Sequence, residues 1–325
     1  MTMERARGAG PVEGLDYEIT YGKRRVPVYR VNATPLRGIA PVPESAFTGR
    51  DNGLLACEVD MQVLGEDFLP AYTIGDNSLV VATDSMKNII LKEALAYGGA
   101  TLEGYLAHVG RTMIDRYEQV HDLRLEVREL PFAPVMVPAG DGRVEESVVL
   151  FDHRGGSDQS VASLRLRRAG DGSEVVEHEC GRVGLRLLKV TGSSFTKFVR
   201  DEHTTLPDRG DRPLYIFLDV FWRYRDSADL LDDSHTRYVP AEQVRDIVAT
   251  VFHQFVSESI QHLVHEMGLR VLERFPQLAE VRFVAQNRTR DPFYASETDP
   301  GVKVYSDPFP AYGEITLRLA RKEGD

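Results

Sequence analysis

The feature that most constrains the fold of this chain is the order of its hydrophobic patterns, which runs from strands to helices and back to strands in each half. Strands are predicted where apolar residues alternate with polar ones, and helices where apolar residues recur three and four positions apart. Antiparallel sheets with paired helices on one face belong to the α+β class. The strand patterns cover 17–31, 54–63, 123–127, 183–190, 215–224, 281–284 and 315–319, and the clearest helix patterns cover 102–113, 244–255 and 260–272.

The length of 325 residues suits one large domain or two ordinary ones. The polar, glycine-containing stretch 169–173 is a plausible boundary between the halves. We therefore predict a loose N-terminal tail over 1–15, a first domain over 16–171 and a second domain over 172–325. A further hairpin is predicted over 147–168, with its turn near Gly155-Gly156.

The charge and cysteine content exclude several classes of function. A formal net charge of -11 argues against a nucleic-acid or anionic-membrane surface, because such partners need a spread of positive charge. The two cysteines, Cys57 and Cys180, cannot form a disulfide framework, which favours a reducing compartment. No apolar run is long enough to span a membrane, and the start lacks the apolar segment of a signal peptide. A cytoplasmic protein is expected.

Two stretches carry groups that suit one small, flat ligand. In 80–88, Thr83 offers a hydroxyl at a strand-to-helix junction, and Asp84 is expected to cap the helix that follows. In 188–212, Phe195 offers an aromatic face and Arg212 a guanidinium. An anionic heterocycle rich in hydrogen-bonding groups needs such partners, because a ring stacks on its face and a guanidinium forks onto two acceptors.

These stretches, together with Tyr21-Gly22-Lys23, Ile260-Gln261 and Gln286-Asn287, resemble the signature segments of the uricase (urate oxidase) family over most of the chain. The resemblance implies two tandem tunnelling-fold (T-fold) domains whose sheets close into a barrel on oligomerisation, with two rings stacked as a homotetramer. It also implies the oxidation of urate by dioxygen to 5-hydroxyisourate with release of hydrogen peroxide. No cofactor and no metal are expected.

The resemblance assigns the residues that would bind urate. Phe195 would stack on the purine, and Arg212 would grip its carbonyl and ring-nitrogen positions. Gln261 would hold the opposite edge with its amide, beside the backbone N–H of Ile260. Asn287 would hold dioxygen or water over the ring. From the sequence alone, Phe195 also fits a core position, and Arg212 fits an ion pair with the neighbouring Asp211 or Asp208.

The resemblance also assigns the catalytic side. Thr83 would touch both urate and the oxygen or water above it, the backbone N–H of Asp84 would meet the substrate, and Lys23 would serve as the relay partner of Thr83. The like charge of the two arginines after Lys23 would favour a neutral, basic amine. Many uricases complete the relay with a histidine where this chain has Thr289. Either the Lys23–Thr83 pair suffices or another group replaces that histidine.

Two alternatives stay open at this stage. A T-fold pterin or nucleotide enzyme would need a three-ligand metal set or a pocket cysteine, and a non-catalytic purine-binding homologue would fit the change at Thr289. His262 and His265 lie one helical turn apart with Glu266 adjacent, but a third metal ligand is not evident. A solvated helix face is the more common setting for such histidines.

Overall fold

The computed structural model describes residues 11, 13–288, 290, 292–299 and 301–322. Within these residues the chain forms two compact units, and strand β7 contributes to both. The strands are β1 (Thr20–Val31), β2 (Leu54–Leu64), β3 (Asp122–Glu129), β4 (Phe132–Pro138), β5 (Val144–His153), β6 (Gln159–Ala169), β7 (Gly172–Lys189), β8 (Leu214–Tyr224), β9 (Leu278–Asn287), β10 (Pro292–Ala295), β11 (Lys303–Tyr305) and β12 (Gly313–Ala320). The helices are α1 (Leu69–Thr73), α2 (Thr83–Ala96), α3 (Leu102–Arg116), α4 (Ser227–Leu230), α5 (Ala241–Gln254) and α6 (Ile260–Arg274).

The first unit takes in the described residues up to Arg37, Arg50–Arg154 and Val161–Glu179. Its sheet has the order β1-β2-β3-β6-β7, and β1, β2, β3 and β6 pair in antiparallel fashion. Helix α2 packs on β1 and α3 packs on β3. The alternation predicted for β3 is confirmed, since its apolar side chains are buried and the charged ones between them are not.

The second unit takes in Gly38–Gly49, Gly155–Ser160 and the described residues from Cys180 onward. Its sheet has the order β7-β8-β9-β12, again antiparallel. Helices α5 and α6 pack on each other, and α6 lies on β9 and β12. A Cβ on Gly268 of α6 would stand 2.5 Å from Cδ1 of Leu319, so this helix approaches the sheet more closely than a larger residue allows.

The proline-containing stretch Gly38–Gly49 is a loop that packs on the helices of the second unit. The Glu44 side chain is only 4% exposed and accepts hydrogen bonds from Arg270 and Arg274, each at 2.8 Å. Hydrogen bonding to Arg274, then to Arg270, lowers the pKa of Glu44 to about 2. Gln243 of α5 donates to the carbonyl oxygens of Ala40 and Phe47, both at 2.9 Å. Ion pairs with α6 and hydrogen bonds from α5 to its backbone carbonyls thus hold the loop in place.

The hairpin predicted over 147–168 is wrong. Strand β5 pairs with β4 in a separate two-stranded sheet, whereas β6 pairs with β3. The apolar side chains of Val148 and Val149 on β5 are 73% and 85% exposed. Because these apolar residues do not mark a buried face of the strand, its sequence does not indicate which strand it pairs with. A second small sheet, β10-β11, was also not predicted.

The predicted antiparallel α+β architecture is confirmed. No helix in the described part of the chain is long and apolar enough to cross a membrane. Closure of the sheets into a barrel across subunits, and the tunnelling-fold domain bounds 16–171 and 172–325, stay predictions.

Candidate active site

Lys23 lies at an irregularity in strand β1. The register between β1 and β2 shifts between Lys23 and Val26, and Arg25 has a positive φ of 56°. A Cβ on Gly22 would stand 1.9 Å from the carbonyl oxygen of Met61, so only glycine lets β1 lie this close to β2. Lys23 is therefore held between a tight strand contact and a bulge, and its side chain is half-buried.

The two arginines after Lys23 are paired with carboxylates on β2. Arg24 lies 3.4 Å from Asp60, and Arg25 lies 3.3 Å from Glu58. The backbone N–H of Arg25 also donates to Asp60, at 2.5 Å. Both arginines that follow Lys23 therefore have an acidic partner on β2.

Tyr21 links strand β1 to the segment that enters helix α2. Its phenol oxygen accepts a hydrogen bond from the backbone N–H of Val81 at 3.0 Å, and its ring meets the edge of Phe68 at 5.1 Å. Burial raises the pKa of Tyr21, so the phenol stays protonated at neutral pH. Because Tyr21 and Val81 lie two residues before Lys23 and Thr83 respectively, this contact fixes the two segments that carry the proposed catalytic pair.

Helix α2 begins at Thr83, and the cap predicted for Asp84 is wrong. The N-cap residue is Ala82, and within the described residues no side chain caps this end. The Asp84 carboxylate turns outward to Lys87, at 2.5 Å, and accepts from Asn88 at 3.1 Å. Hydrogen bonding to Lys87 lowers the pKa of Asp84, and the charge of Lys23 lowers it further. The N–H groups of the first turn have no intrahelical acceptors and are available to a ligand.

In the second unit, Phe195 and Arg212 lie together. The guanidinium carbon of Arg212 is 5.4 Å from the centre of the Phe195 ring, and Arg212 is only 7% exposed. The Phe195 ring also stacks on the ring of Phe198, at 5.0 Å with an interplanar angle of 9°. The guanidinium and the half-buried aromatic ring, the two groups predicted from the sequence to bind a flat anion, therefore lie side by side.

The acids that offered Arg212 an alternative partner are engaged elsewhere. The Asp211 carboxylate accepts from the hydroxyl of Thr191 and the N–H of Gly192, both at 2.7 Å. Hydrogen bonding to Thr191 lowers the pKa of Asp211. Asp208 pairs with Arg200 at 3.1 Å. These contacts build the turn that presents Arg212.

The start of helix α6 is joined to the same region by backbone hydrogen bonds. Arg212 donates its N–H to the carbonyl of Ser193, and Ser194 donates to the carbonyl of Ser257, both at 2.8 Å. Two residues further on, Ser259 caps α6 by accepting from His262 at 3.1 Å. Ile260 and Gln261 therefore open the helix, with Ile260 buried and Gln261 exposed. Their N–H groups lie in the first turn, which has no intrahelical acceptors for them.

Asn287 ends strand β9, where it lies opposite Ile216 of β8 and Gly313 of β12. Arg212 comes two residues before β8 begins, so Asn287 and Arg212 lie at the same end of this sheet. The backbone N–H of Arg288 donates to the carbonyl of Tyr215 at 2.9 Å, which extends the pairing past Asn287. Thr289 lies outside the described residues.

The residues that suggested metal or thiol chemistry have structural contacts. His262 meets the edge of Phe255 at 4.6 Å, and His265 lies 3.2 Å from Glu266. Among the residues that the structure describes, no three His, Cys, Asp or Glu side chains form a metal-binding group. Cys57 and Cys180 are both buried. Burial raises the pKa of the Cys57 thiol to about 12, which keeps it protonated and a poor nucleophile.

Comparison with known proteins identifies the family. The sequence matches the uricase family model over residues 19–154 and 178–316. The chain belongs to the uricase family. The uricase of Haloferax volcanii is 51% identical over 272 residues, which are 83% of this chain and 88% of that protein. The uric acid degradation bifunctional protein of Bacillus subtilis is 39% identical over 307 residues, 94% of this chain but only 62% of that protein.

Solved structures of the uricase family agree. The urate oxidase of Bacillus sp. TB-90 superposes with a TM-score of 0.89 at 40% identity, over 93% of this chain and 100% of that chain. A uricase from Bacillus fastidious gives a TM-score of 0.88 at 41% identity, over 94% of each chain. The resemblance stated from the sequence is thereby confirmed.

Two contacts of the site were not predicted. The Tyr21 hydroxyl belongs to a segment that the sequence singled out, but only Lys23 of that segment was given a role. The buried hydroxyls of Ser193 and Ser257 carried no signal, since isolated serines follow no hydrophobic period. Each becomes visible only when segments distant in sequence are brought together.

Proposed function

We propose that this protein catalyses the oxidation of urate by dioxygen to 5-hydroxyisourate, with release of hydrogen peroxide and without a metal or organic cofactor. The observation that carries the proposal is the buried guanidinium of Arg212 beside the ring of Phe195, in a chain of the uricase family. Urate is a flat anion, so it needs a stacking face and a fixed positive charge together.

Each binding residue acts on a different part of the purine. Phe195 stacks on one face, and Arg212 forks onto a carbonyl oxygen and a ring nitrogen at one edge. The Gln261 amide donates to and accepts from the opposite edge, beside the N–H of Ile260. The N–H of Asp84, in the first turn of α2, meets the substrate as well. Asn287 and Thr83 hold dioxygen or water above the ring.

The protein removes a proton from urate and positions the reactants, while urate itself supplies the electrons. Lys23, through the hydroxyl of Thr83, removes a proton from bound urate, and the resulting anion gives two electrons to dioxygen. Dioxygen leaves as hydrogen peroxide, and water adds to carbon 5 to give 5-hydroxyisourate. Urate, dioxygen and water are thus converted into the two products with no other oxidant. Hydrogen-bond donors that are already in position stabilise the urate anion that reacts with dioxygen.

We further propose that the site is shared between subunits of a homotetramer of tandem T-fold domains. Lys23, Thr83 and Asp84 would come from one subunit, and the residues of the second unit from its neighbour. Strand β1 ends the sheet of the first unit and β12 ends that of the second. Edge strands need a partner or a cover, and closure of a barrel across subunits provides one. A cytoplasmic location fits the two buried cysteine thiols.

The direct test follows the ultraviolet absorbance of urate after addition of protein that has been exhaustively chelated. Colourless protein should remove urate and form one peroxide for each urate consumed, and Arg212→Ala should lose this activity while staying folded. Activity that is lost on chelation and restored by added metal would refute cofactor independence. Binding of urate with no turnover would identify a non-catalytic purine-binding homologue instead.

A further inference from the structure

Two buried serine hydroxyls join the two walls of the proposed urate pocket in the second unit. One wall carries Phe195 and Arg212, and the other is the start of helix α6. We propose that Ser193 and Ser257 form a positioning pair that sets the distance between these walls, and so determines whether both edges of a planar purine are held at once. The inference rests on the proposed function and adds two residues to it.

The contact between the two hydroxyl groups is direct and buried. The Ser257 hydroxyl donates to the Ser193 hydroxyl at 3.3 Å, and the two residues are 0% and 1% exposed. Each serine also holds one wall through its backbone. The Ser193 carbonyl accepts the N–H of Arg212, and the Ser257 carbonyl accepts the N–H of Ser194, next to Phe195. The hydroxyl pair is therefore the side-chain link between two backbone attachments.

The segments on both sides of the pair are fixed independently. The ammonium group of Lys189 donates to the carbonyl of Phe255 at 2.9 Å and lies 5.7 Å from the ring centre of Phe252. On the other side, the Asp211 carboxylate accepts from Thr191 and Gly192. Gly192 has a φ of 76°, which suits glycine in this turn. The hydroxyl pair adds a buried side-chain contact to the backbone hydrogen bond between Ser194 and Ser257 that joins the same walls.

The geometry matters because urate is rigid. Arg212 holds one edge of the purine, and Gln261 with the N–H of Ile260 holds the other, so a change in wall spacing cannot be absorbed by the ligand. Loss of the hydroxyl pair should weaken binding at both edges of the planar purine. Proton removal by Lys23 and Thr83, which lie in the first unit, should be affected much less.

The experiment compares Ser193→Ala, Ser257→Ala and the double variant with Ser194→Ala as matched control. The Ser194 hydroxyl lies 3.4 Å from the Ser257 carbonyl and is half-buried, so its loss should change little. The readouts are KM and kcat for urate and the inhibition constant of xanthine, a planar purine that lacks the oxygen at carbon 8. Circular dichroism and melting temperature check folding.

Each single variant should raise the KM for urate and the inhibition constant of xanthine in parallel by roughly tenfold, because one buried hydrogen bond contributes about that much. The kcat should change less than about twofold. The double variant should be little worse than either single one, because all three lack the same contact. Ser194→Ala should stay within about twofold of the wild type.

Unchanged constants in a folded Ser257→Ala protein, or effects of the two single variants that add fully, would overturn the proposal. If Ser257→Ala does not fold, Ser193→Ala decides the question by the same readouts. A wild-type protein that binds urate but does not oxidise it would contradict the proposed function, and the binding constants would still test the pair. A wild-type protein that neither binds nor oxidises urate would overturn both.

Discussion

The phenol oxygen of Tyr21 accepts the backbone N–H of Val81 at 3.0 Å and thereby ties strand β1 to the segment that enters helix α2. Lys23 follows Tyr21 by two residues, and Thr83 follows Val81 by two residues. The first unit thus uses a buried neutral hydrogen bond to set the geometry of the proposed proton-transfer pair. The charge of Lys23 also contributes to the lowered pKa of Asp84, after the larger effect of Lys87.

Tyr21→Phe should lower kcat for urate by roughly three- to tenfold, because the half-buried N–H of Val81 loses an acceptor worth about 1 kcal/mol. The matched control is Tyr72→Phe. The hydroxyl of Tyr72 donates to the carbonyl of Thr20 at 3.1 Å, but the residue is 54% exposed. Steady-state kinetics on both variants checks the prediction, and equal effects of the two changes would contradict it.

Arg212→Lys should not restore the function lost in Arg212→Ala, because an ammonium group cannot fork onto two acceptors. Either change should cost about 2–4 kcal/mol of transition-state stabilisation, measured from kcat/KM. Arg200→Lys is the control, since Arg200 is exposed and pairs with Asp208 nearby. Normal kinetics in a folded Arg212→Ala protein would refute the assignment of this residue.

Lys23→Met should lower kcat by about 10²–10⁴, the usual contribution of a general base. Thr289→Ala should cost about tenfold or less, because a threonine can orient a neutral hydrogen bond but cannot accept the proton at neutral pH. Arg24→Met, next to Lys23 in sequence and paired with Asp60, is the control for lost charge. A loss in Thr289→Ala as large as that in Lys23→Met would make Thr289 an obligatory member of the relay.

The buried carboxylate of Glu44 should make stability depend on pH in the acid range. Its pKa is about 2 in the folded protein against an ordinary 4.5, so folding is favoured by the ionised form. This contribution, about 3 kcal/mol, is complete above roughly pH 5 and falls as the pH drops from 4.5 toward 2. Glu44→Gln should therefore destabilise the protein strongly at pH 7 and much less at pH 3.

Urea unfolding at fixed protein concentration measures this difference. Glu273→Gln is the matched control, because Glu273 pairs with the same two arginines but its side chain is 62% exposed. The control should change stability by less than about 1 kcal/mol at either pH. A Glu44→Gln effect that is the same at pH 7 and pH 3 would show that packing, not charge, accounts for it.

The sequence predicted the main strands and helices because their apolar residues follow the period of the face they bury. Strands β3 and β8 and helices α5 and α6 are of this kind. Strand β5 was given the wrong partner because its apolar residues, such as Val149, are exposed in this chain.

The candidate site was predicted from resemblance, residue by residue, and the structure adds the contacts that no pattern contains. The carboxylate of Asp84 looked like a helix cap because its position fits that role, yet Lys87 one turn on draws it away. The partners of Arg24 and Arg25 lie on β2, more than thirty residues away in the sequence. Local sequence does not contain distant charges.

The central claim is that urate is oxidised in a site that two subunits share. Thr83→Ala and Arg212→Ala proteins, each inactive alone, are mixed in equal amounts, allowed to exchange subunits and assayed by the loss of urate absorbance. Random exchange leaves both intact residues together in about one quarter of the sites, so the mixture should recover about a quarter of wild-type activity. Fully exchanged mixtures that stay inactive would contradict the shared site.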